Sequence, residues 1–246
     1  MKKLLLALTL ISVSVACKKE TTITNSNSNG TTTNTTNQQT SSFGPNIKDI
    51  DGNTYKTVNI GAQHWMAENL KVSKYNDGTN IKNITDNTLW QRDTSGAWSY
   101  YNNDATNNVK YGKLYNWYTV NKSTNGNKNI CPSGWHIPTD TEWKILTNYL
   151  GGDNIAAGGK LKEEGLSSWN SPNTDATNSS LFSAIPGGGR YSDANFGGIG
   201  SKGYWWSSSE YSTDGAWYLL LNRSTGVEEV SYEVKKYGLS VRCLKD

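Results

Sequence analysis

The sequence predicts an α+β domain over residues 46–246, carried behind an export leader and a tether. Three observations lead there. Thr139 and Glu142 form an S/T-x-x-E capping box ahead of Trp143, Leu146 and Leu150, which recur on one helical face. From Leu181 onward, short apolar runs alternate with Gly-rich turns, the pattern of strands. Near the domain's start, Asp51-Gly52 separates Ile47 and Ile50 from Tyr55, Val58 and Ile60, which predicts a hairpin with a type I′ turn.

Ahead of the domain, Met1-Lys2-Lys3 is a short basic start, and residues 4–15 are largely apolar. Twelve residues are too few to span a bilayer, which needs roughly 20. They suit the apolar core of a signal peptide over residues 1–16. The run ends in Ser14-Val15-Ala16-Cys17, which resembles a bacterial lipobox, with Ser14 where leucine is usual. Cys17 is then the lipidation site, and a lipoprotein cysteine carries the more than one acyl chain that stable anchoring requires. The alternative is an ordinary cleaved signal with an incidental cysteine. Residues 17–45 read as a tether. Within them, 20 of the 22 positions from 21 to 42 are Thr, Asn, Ser or Gln, too polar to offset the entropy of folding. A disordered coil of about 25 residues reaches roughly 25–30 Å.

Charge is uneven along the chain. Lys2, Lys3, Lys18 and Lys19 are four of the 24 basic residues and Glu20 is one of the 21 acidic ones, so residues 46–246 hold 20 of each. A neutral domain lacks the basic footprint of a nucleic-acid binder. Two histidines and no clustered thiols argue against zinc. With Cys17 assigned to lipid, Cys131 and Cys243 remain, and an exported chain with two thiols suggests one disulfide, two buried free thiols being the alternative. Closing so long a loop is worth at most about 4–5 kcal/mol in the chain-entropy account.

Within the domain, Tyr111, Leu114, Tyr115 and Tyr118 recur at helical spacing and predict a helix. Gly151-Gly152 ends the capped helix, and a shorter one is expected over 155–164, interrupted by Gly158-Gly159. Strands are expected at 204–208, at 217–221, and, past a turn at 224–226, at 227–234. In the last strand Leu239, Val241 and Cys243 share one face, with Ser240 and Arg242 on the other.

The phrases DIDGNTYKTVNIGAQHWMAENLKVSKYNDG, YGKLYNWYTV, CPSGWHIPTDTEW, YWWSSSEY and GLSVRC, in that order, resemble the Fibrobacter succinogenes major paralogous domain over about residues 46–246. That family is common in lipid-anchored exported proteins of Bacteroidetes-type bacteria. IPTDTEW, WWSSS and GLSVRC are also distantly similar to phrases of formylglycine-generating enzymes. This likeness implies a C-type-lectin-like fold: a twisted antiparallel sheet, two main helices and a long irregular loop region. It does not carry the enzyme's chemistry across, because formylglycine generation needs a cysteine pair shortly before the terminal strand, and residues 227–238 hold none.

Other motifs are weaker than their alternatives. Gly198-Ile199-Gly200-Ser201-Lys202-Gly203 matches G-x-G-x-x-G but lacks the strand-then-helix context of a dinucleotide site. His64 and His136 read as structural histidines. The stretch 169–195 is the expected binding face, being rich in side-chain oxygens with scattered aromatics. Its ligand-binding candidates are Trp169, Tyr191, Asp193 and Asn195, joined by Trp206 from the neighbouring strand, since Trp205 and Trp206 must face opposite ways. Asp175, Asp193 and Asn195 are candidate ligands for a structural calcium, although the EPN, QPD and WND triplets of calcium-dependent lectins are absent. No other cofactor is expected.

The expected function is therefore a non-enzymatic, lectin-like binding or adhesion domain on an outer-membrane lipid anchor, with a glycan or an envelope or surface protein as ligand. Whether the anchor faces the periplasm or the cell surface stays open. Two alternatives stand beside it: a structural envelope component docking a partner protein, and an enzyme of formylglycine-generating architecture with changed chemistry.

Overall fold

A computed structural model describes residues 40–152 and 157–246; the leader, Cys17 and most of the tether lie outside the described residues. The first strand begins at Ser42, ahead of the domain start expected at 46. The α+β class holds, but three sheets replace the single one expected. The first runs β1 (Ser42–Lys48), β2 (Thr54–Ile60), β3 (Gln63–Met66), β13 (Leu244–Lys245) and β7 (Trp135–His136). The second runs β12 (Glu229–Val234), β11 (Gly215–Asn222), β10 (Lys202–Glu210), β8 (Gly187–Arg190) and β9 (Phe196–Ile199). A small third sheet holds β4 (Lys82–Asn83), β5 (Ala97–Ser99) and β6 (Leu114–Tyr115). Pairing is antiparallel except for β4 with β5 and β8 with β10.

The described helices are α1 (Asn87–Arg92), α2 (Asn107–Tyr111), α3 (Trp117–Val120), α4 (Asp140–Tyr149) and α5 (Ala157–Leu161). None is long and apolar enough to cross a membrane. In α4 both halves of the expected capping box form: the Glu142 amide donates to Thr139 Oγ1 at 3.2 Å, and the Thr139 amide donates to Glu142 Oε2 at 2.7 Å. The shorter helix expected over 155–164 is the single turn and a half of α5, with residues 153–156 outside the description.

Two predicted elements differ. The helix expected through Tyr111, Leu114, Tyr115 and Tyr118 is broken into α2, β6 and α3. Gly112 sits at φ +72°, and a Cβ there would lie 2.6 Å from the Leu70 carbonyl. That turn frees Leu114 and Tyr115 to pair with Ser99 and Trp98. The first hairpin is not a two-residue type I′ turn. Residues 49–53 link its strands around the Asp49 carboxylate, which accepts from the Asp51 and Asn53 amides and, at 2.6 Å, from the Tyr55 hydroxyl. Gly52 has a positive φ there and Asp51 does not.

Two large apolar cores form, one on each face of β10 and β11, beside a small cluster of Trp90, Ala97 and Ala194. Trp206, Tyr204, Tyr218 and Leu220 join one, and Trp205, Leu219 and Leu221 join the other, where Trp143, Leu146 and Leu150 of α4 cover them. Neighbouring strand residues alternate faces, so a strand buried on both sides is apolar throughout. The expected terminal strand shortens to Leu244–Lys245. Residues 239–241 instead stitch sheets together through bridges from Leu239 to Tyr115 and from Ser240 to Trp205. Leu239, Val241 and Cys243 enter the first core as the alternation requires, yet Ser240 and Arg242 are just as buried, because their face meets the second core. Cys131 and Cys243 are joined by a disulfide, with Cα atoms 5.9 Å apart.

Candidate functional site

The residues expected on the binding face are scattered by the fold. Trp169 is 1 % exposed, and its indole donates to the Ala184 carbonyl at 2.9 Å. Trp206 is 0 % exposed, and its indole donates to Tyr115 O at 2.8 Å. Both are core residues, so neither can face a ligand. The correction has a simple cause: β10 is covered on both sides, and either tryptophan of the pair had a core to enter. The Gly-rich run at 187–190, within the stretch read as the binding face, is the buried strand β8. The G-x-G-x-x-G match spans the end of β9, a tight turn and the start of β10.

Tyr191, Asp193 and Asn195 do come together, on one tight turn. The Tyr191 amide donates to Asn195 O at 2.8 Å and the Ala194 amide to Tyr191 O at 2.9 Å. Asp193 accepts from the Asn195 amide at 3.0 Å and from its Nδ2 at 2.8 Å. Those hydrogen bonds hold the Asp193 carboxyl below its ordinary range. Its oxygens thus serve the turn that carries them. Asp175 is exposed beside α5, on a different segment. Among the described residues no group of three or more His, Cys, Asp or Glu side chains gathers to hold a metal.

The same turn forms one wall of a cavity of about 530 Å³, lined by Gln91, Arg92, Tyr118, Ser192, Asp214, Val234 and Lys236. Each wall is held by its own local chemistry. Asp86 caps α1 by accepting from the Leu89 amide at 2.8 Å, which sets Gln91 and Arg92 at the helix's end. Trp90 between them is buried, and its indole donates to Lys236 O at 2.9 Å, tying α1 to the segment after β12. Gln91 Nε2 donates to Asp193 O at 2.9 Å, tying α1 to the 191–195 turn. Asn116 caps α3, which carries Tyr118. The Lys235 amide donates to Asp214 O at 2.9 Å, so the turn before β11 and the end of β12 close the far side. Burial, with the Asp214 and Asp93 carboxylates, pushes the Tyr118 hydroxyl upward and keeps it protonated as a donor. From the turn that holds the predicted Tyr191, Asp193 and Asn195, only Ser192 lines the cavity, so none of the residues expected from the sequence is among its walls. The other walls come from segments brought together by tertiary contacts alone.

The side chains lining it are two cations, one carboxylate, an amide, a hydroxyl, a phenol and one valine. Among the described residues, Arg92 and Lys236 enter no ion pair. Two other cavities differ in this respect. In one, Arg242 is saturated by Asn69, Phe182 and Ser183. In the other, His136 lies between Asp246 at 2.6 Å and Glu142 at 3.0 Å, a structural histidine closing the C-terminal residue onto the cap of α4. His64 is likewise held, 2.7 Å from Thr57 Oγ1.

A family model, the Fibrobacter succinogenes major domain, matches residues 58–245, about three-quarters of the chain. The chain belongs to that family. The match takes in β2 from Val58 and every later described element, including all the walls of the cavity. No curated protein and no solved structure matches the chain significantly.

Proposed function

We propose that this member of the Fibrobacter succinogenes major domain family is a lipid-anchored envelope protein whose domain binds a glycan without transforming it. Cys17 carries the anchor in the outer membrane, and the domain has the lectin-like architecture that the formylglycine-generating likeness implies. The observation that carries the binding reading is the cavity beside the 191–195 turn. Its cations make no ion pairs among the described residues, and its hydrogen-bonding side chains converge from five separate segments. A concave site with a few convergent polar groups is the usual form of a small-ligand pocket. The export reading is supported by the basic and apolar leader, by the family and by the Cys131–Cys243 disulfide, which suits an oxidising compartment.

The test is a glycan panel probed with the full chain and with the Arg92→Ala/Lys236→Ala double variant. Retention of a defined glycan class, weakened about tenfold or more in the variant, is the expected result, since each lost charged hydrogen bond is worth about 1.5–3 kcal/mol. Capture of an envelope protein with no glycan retained favours the docking role instead, and turnover of a retained glycan favours an enzyme. For the anchor, Cys17→Ala is expected to move the protein from the detergent phase to the aqueous phase of a partition assay.

A further inference from the structure

The calcium expected at Asp175, Asp193 and Asn195 does not fit these residues as the fold places them. Asp193 and Asn195 share a turn and spend their polar groups on each other, at 3.0 Å and 2.8 Å. Asp175 lies on a different segment, against α5, where a buried lysine already supplies positive charge. We propose that the Lys162 ammonium takes the place of that calcium: it is the cation around which the loop region closes, and the domain folds without calcium.

Lys162 follows directly on α5 and is 0 % exposed. An ammonium has three protons to donate, and each has an acceptor: Thr174 O at 2.8 Å, Asn222 O at 3.0 Å and Thr225 O at 2.8 Å. These carbonyls come from the long loop, the end of β11 and the turn before β12. Gathering backbone carbonyls from separate segments around one positive charge is what a bound cation does. The Trp169 ring adds its face, 5.5 Å from Nζ. The same segments also meet directly: the Thr174 amide donates to Arg223 O at 2.8 Å, the Gly159 amide to Gly226 O at 2.8 Å, and the Thr177 amide to Gly159 O at 2.9 Å. Lys162 thus fills the junction that they enclose. Among the described residues no carboxylate pairs with it, and Asp175 acts on it only from further off. Calcium takes about six to eight oxygens at about 2.3–2.6 Å, carboxylates among them. Three neutral carbonyls at 2.8–3.0 Å, with a nitrogen already between them, suit an ammonium instead. Burial lowers the lysine's pKa only to about 8, so the charge persists at neutral pH.

Thermal unfolding of the full chain at neutral pH, followed by circular dichroism, tests this. The wild-type midpoint is expected to be the same in excess EDTA and in excess calcium. Lys162→Ala removes the atoms of a propylammonium ion and leaves buried carbonyls without their donor, so its midpoint is expected to fall by about 5–10 °C. Added propylammonium is expected to restore about 3–6 °C of that loss at about ten times its dissociation constant. Tetramethylammonium, which carries the charge without an N–H, is expected to restore nothing. Lys162→Met fills the same space without the charge and is expected to be destabilised and indifferent to propylammonium. If Lys162→Ala fails to fold in any buffer, the methionine variant and the wild type carry the test. A wild-type midpoint that falls in EDTA, a Lys162→Met midpoint equal to wild type, or a folded Lys162→Ala chain that propylammonium does not stabilise overturns the inference. Each of these outcomes leaves the glycan reading standing, because the cavity uses none of these residues.

Discussion

Two sets of cations divide this molecule. Inside it, Lys162, Arg190 and Arg242 are fully enclosed, and each gathers oxygens from irregular segments. Lys162 Nζ donates to Thr174 O at 2.8 Å, Asn222 O at 3.0 Å and Thr225 O at 2.8 Å. Arg190 donates to Ile84 O, Thr85 O and Asn87 Oδ1. Arg242 donates to Asn69 Oδ1, Phe182 O and Ser183 O. Each also sits over a ring: Trp169, Trp90 and Phe182 respectively. At the cavity, Arg92 and Lys236 make no ion pair among the described residues. The difference lies in solvation. Long segments without a strand ladder still need partners for their buried carbonyls, and a buried cation supplies several at once. A cation facing water has no such duty and remains available to a ligand.

The hardest blow to the inner set is Arg242→Leu. It leaves the Phe182 and Ser183 carbonyls without their donor in the core and strips Asn69 Oδ1 of one of its two donors, the Trp205 indole remaining. A loss of about 3–5 kcal/mol is expected, the scale on which removing one partner of a buried charged pair acts. Urea unfolding checks it, and a midpoint unchanged from wild type would break the division at its base.

Lys162 sharpens the comparison through pH. Burial pulls its pKa from 10.5 down to about 8, against the pull of Asp175. A depressed lysine means that the unfolded chain binds more protons than the folded one between pH 8 and 10.5. Unfolding free energy therefore rises with pH across that window. The stability gap between wild type and Lys162→Met is expected to widen in favour of wild type from pH 8 to 10.5. A gap constant over the window would show an ammonium settled among its carbonyls as comfortably as in water.

These inner cations also mark the limit of what the sequence discloses. The capping box at Thr139 and Glu142, the hairpin at 51–52 and the opposed faces of Trp205 and Trp206 are legible because they depend on neighbours a few residues away. Ser240 and Arg242 read as a solvent face because period-two alternation cannot tell water from a second core. Tyr111 to Tyr118 read as a helix because spacing says nothing of the Leu70 carbonyl that requires Gly112 to turn there. The cavity needs α1, α3, the 191–195 turn and the end of β12 in one place, and no local pattern announces that. The stacking of Tyr211 on Tyr232 was out of reach: counting outward from the turn expected at 224–226 sets Trp217 opposite Glu233, one residue off its observed partner Tyr232, and a one-residue slip exchanges the faces of the sheet. Tyr211, which arrives from the preceding turn, is beyond such counting.

The smallest expected effect on stability is the most telling about function. Arg92→Ala and Lys236→Ala remove charges that hold no ion pair and no buried carbonyl, so each is expected to shift unfolding by no more than about 0.5 kcal/mol. Their effect belongs to the ligand. Binding of an anionic ligand by solvent-facing cations weakens as salt screens them, over a length of about 8 Å at physiological ionic strength. Wild-type affinity for any acidic glycan that the panel retains is therefore expected to fall as salt is raised, and the Arg92→Ala/Lys236→Ala double variant to be both weak and nearly indifferent to salt. If either single substitution instead unfolds the domain as Arg242→Leu does, the outer cations are structural too, and the line between the two sets disappears.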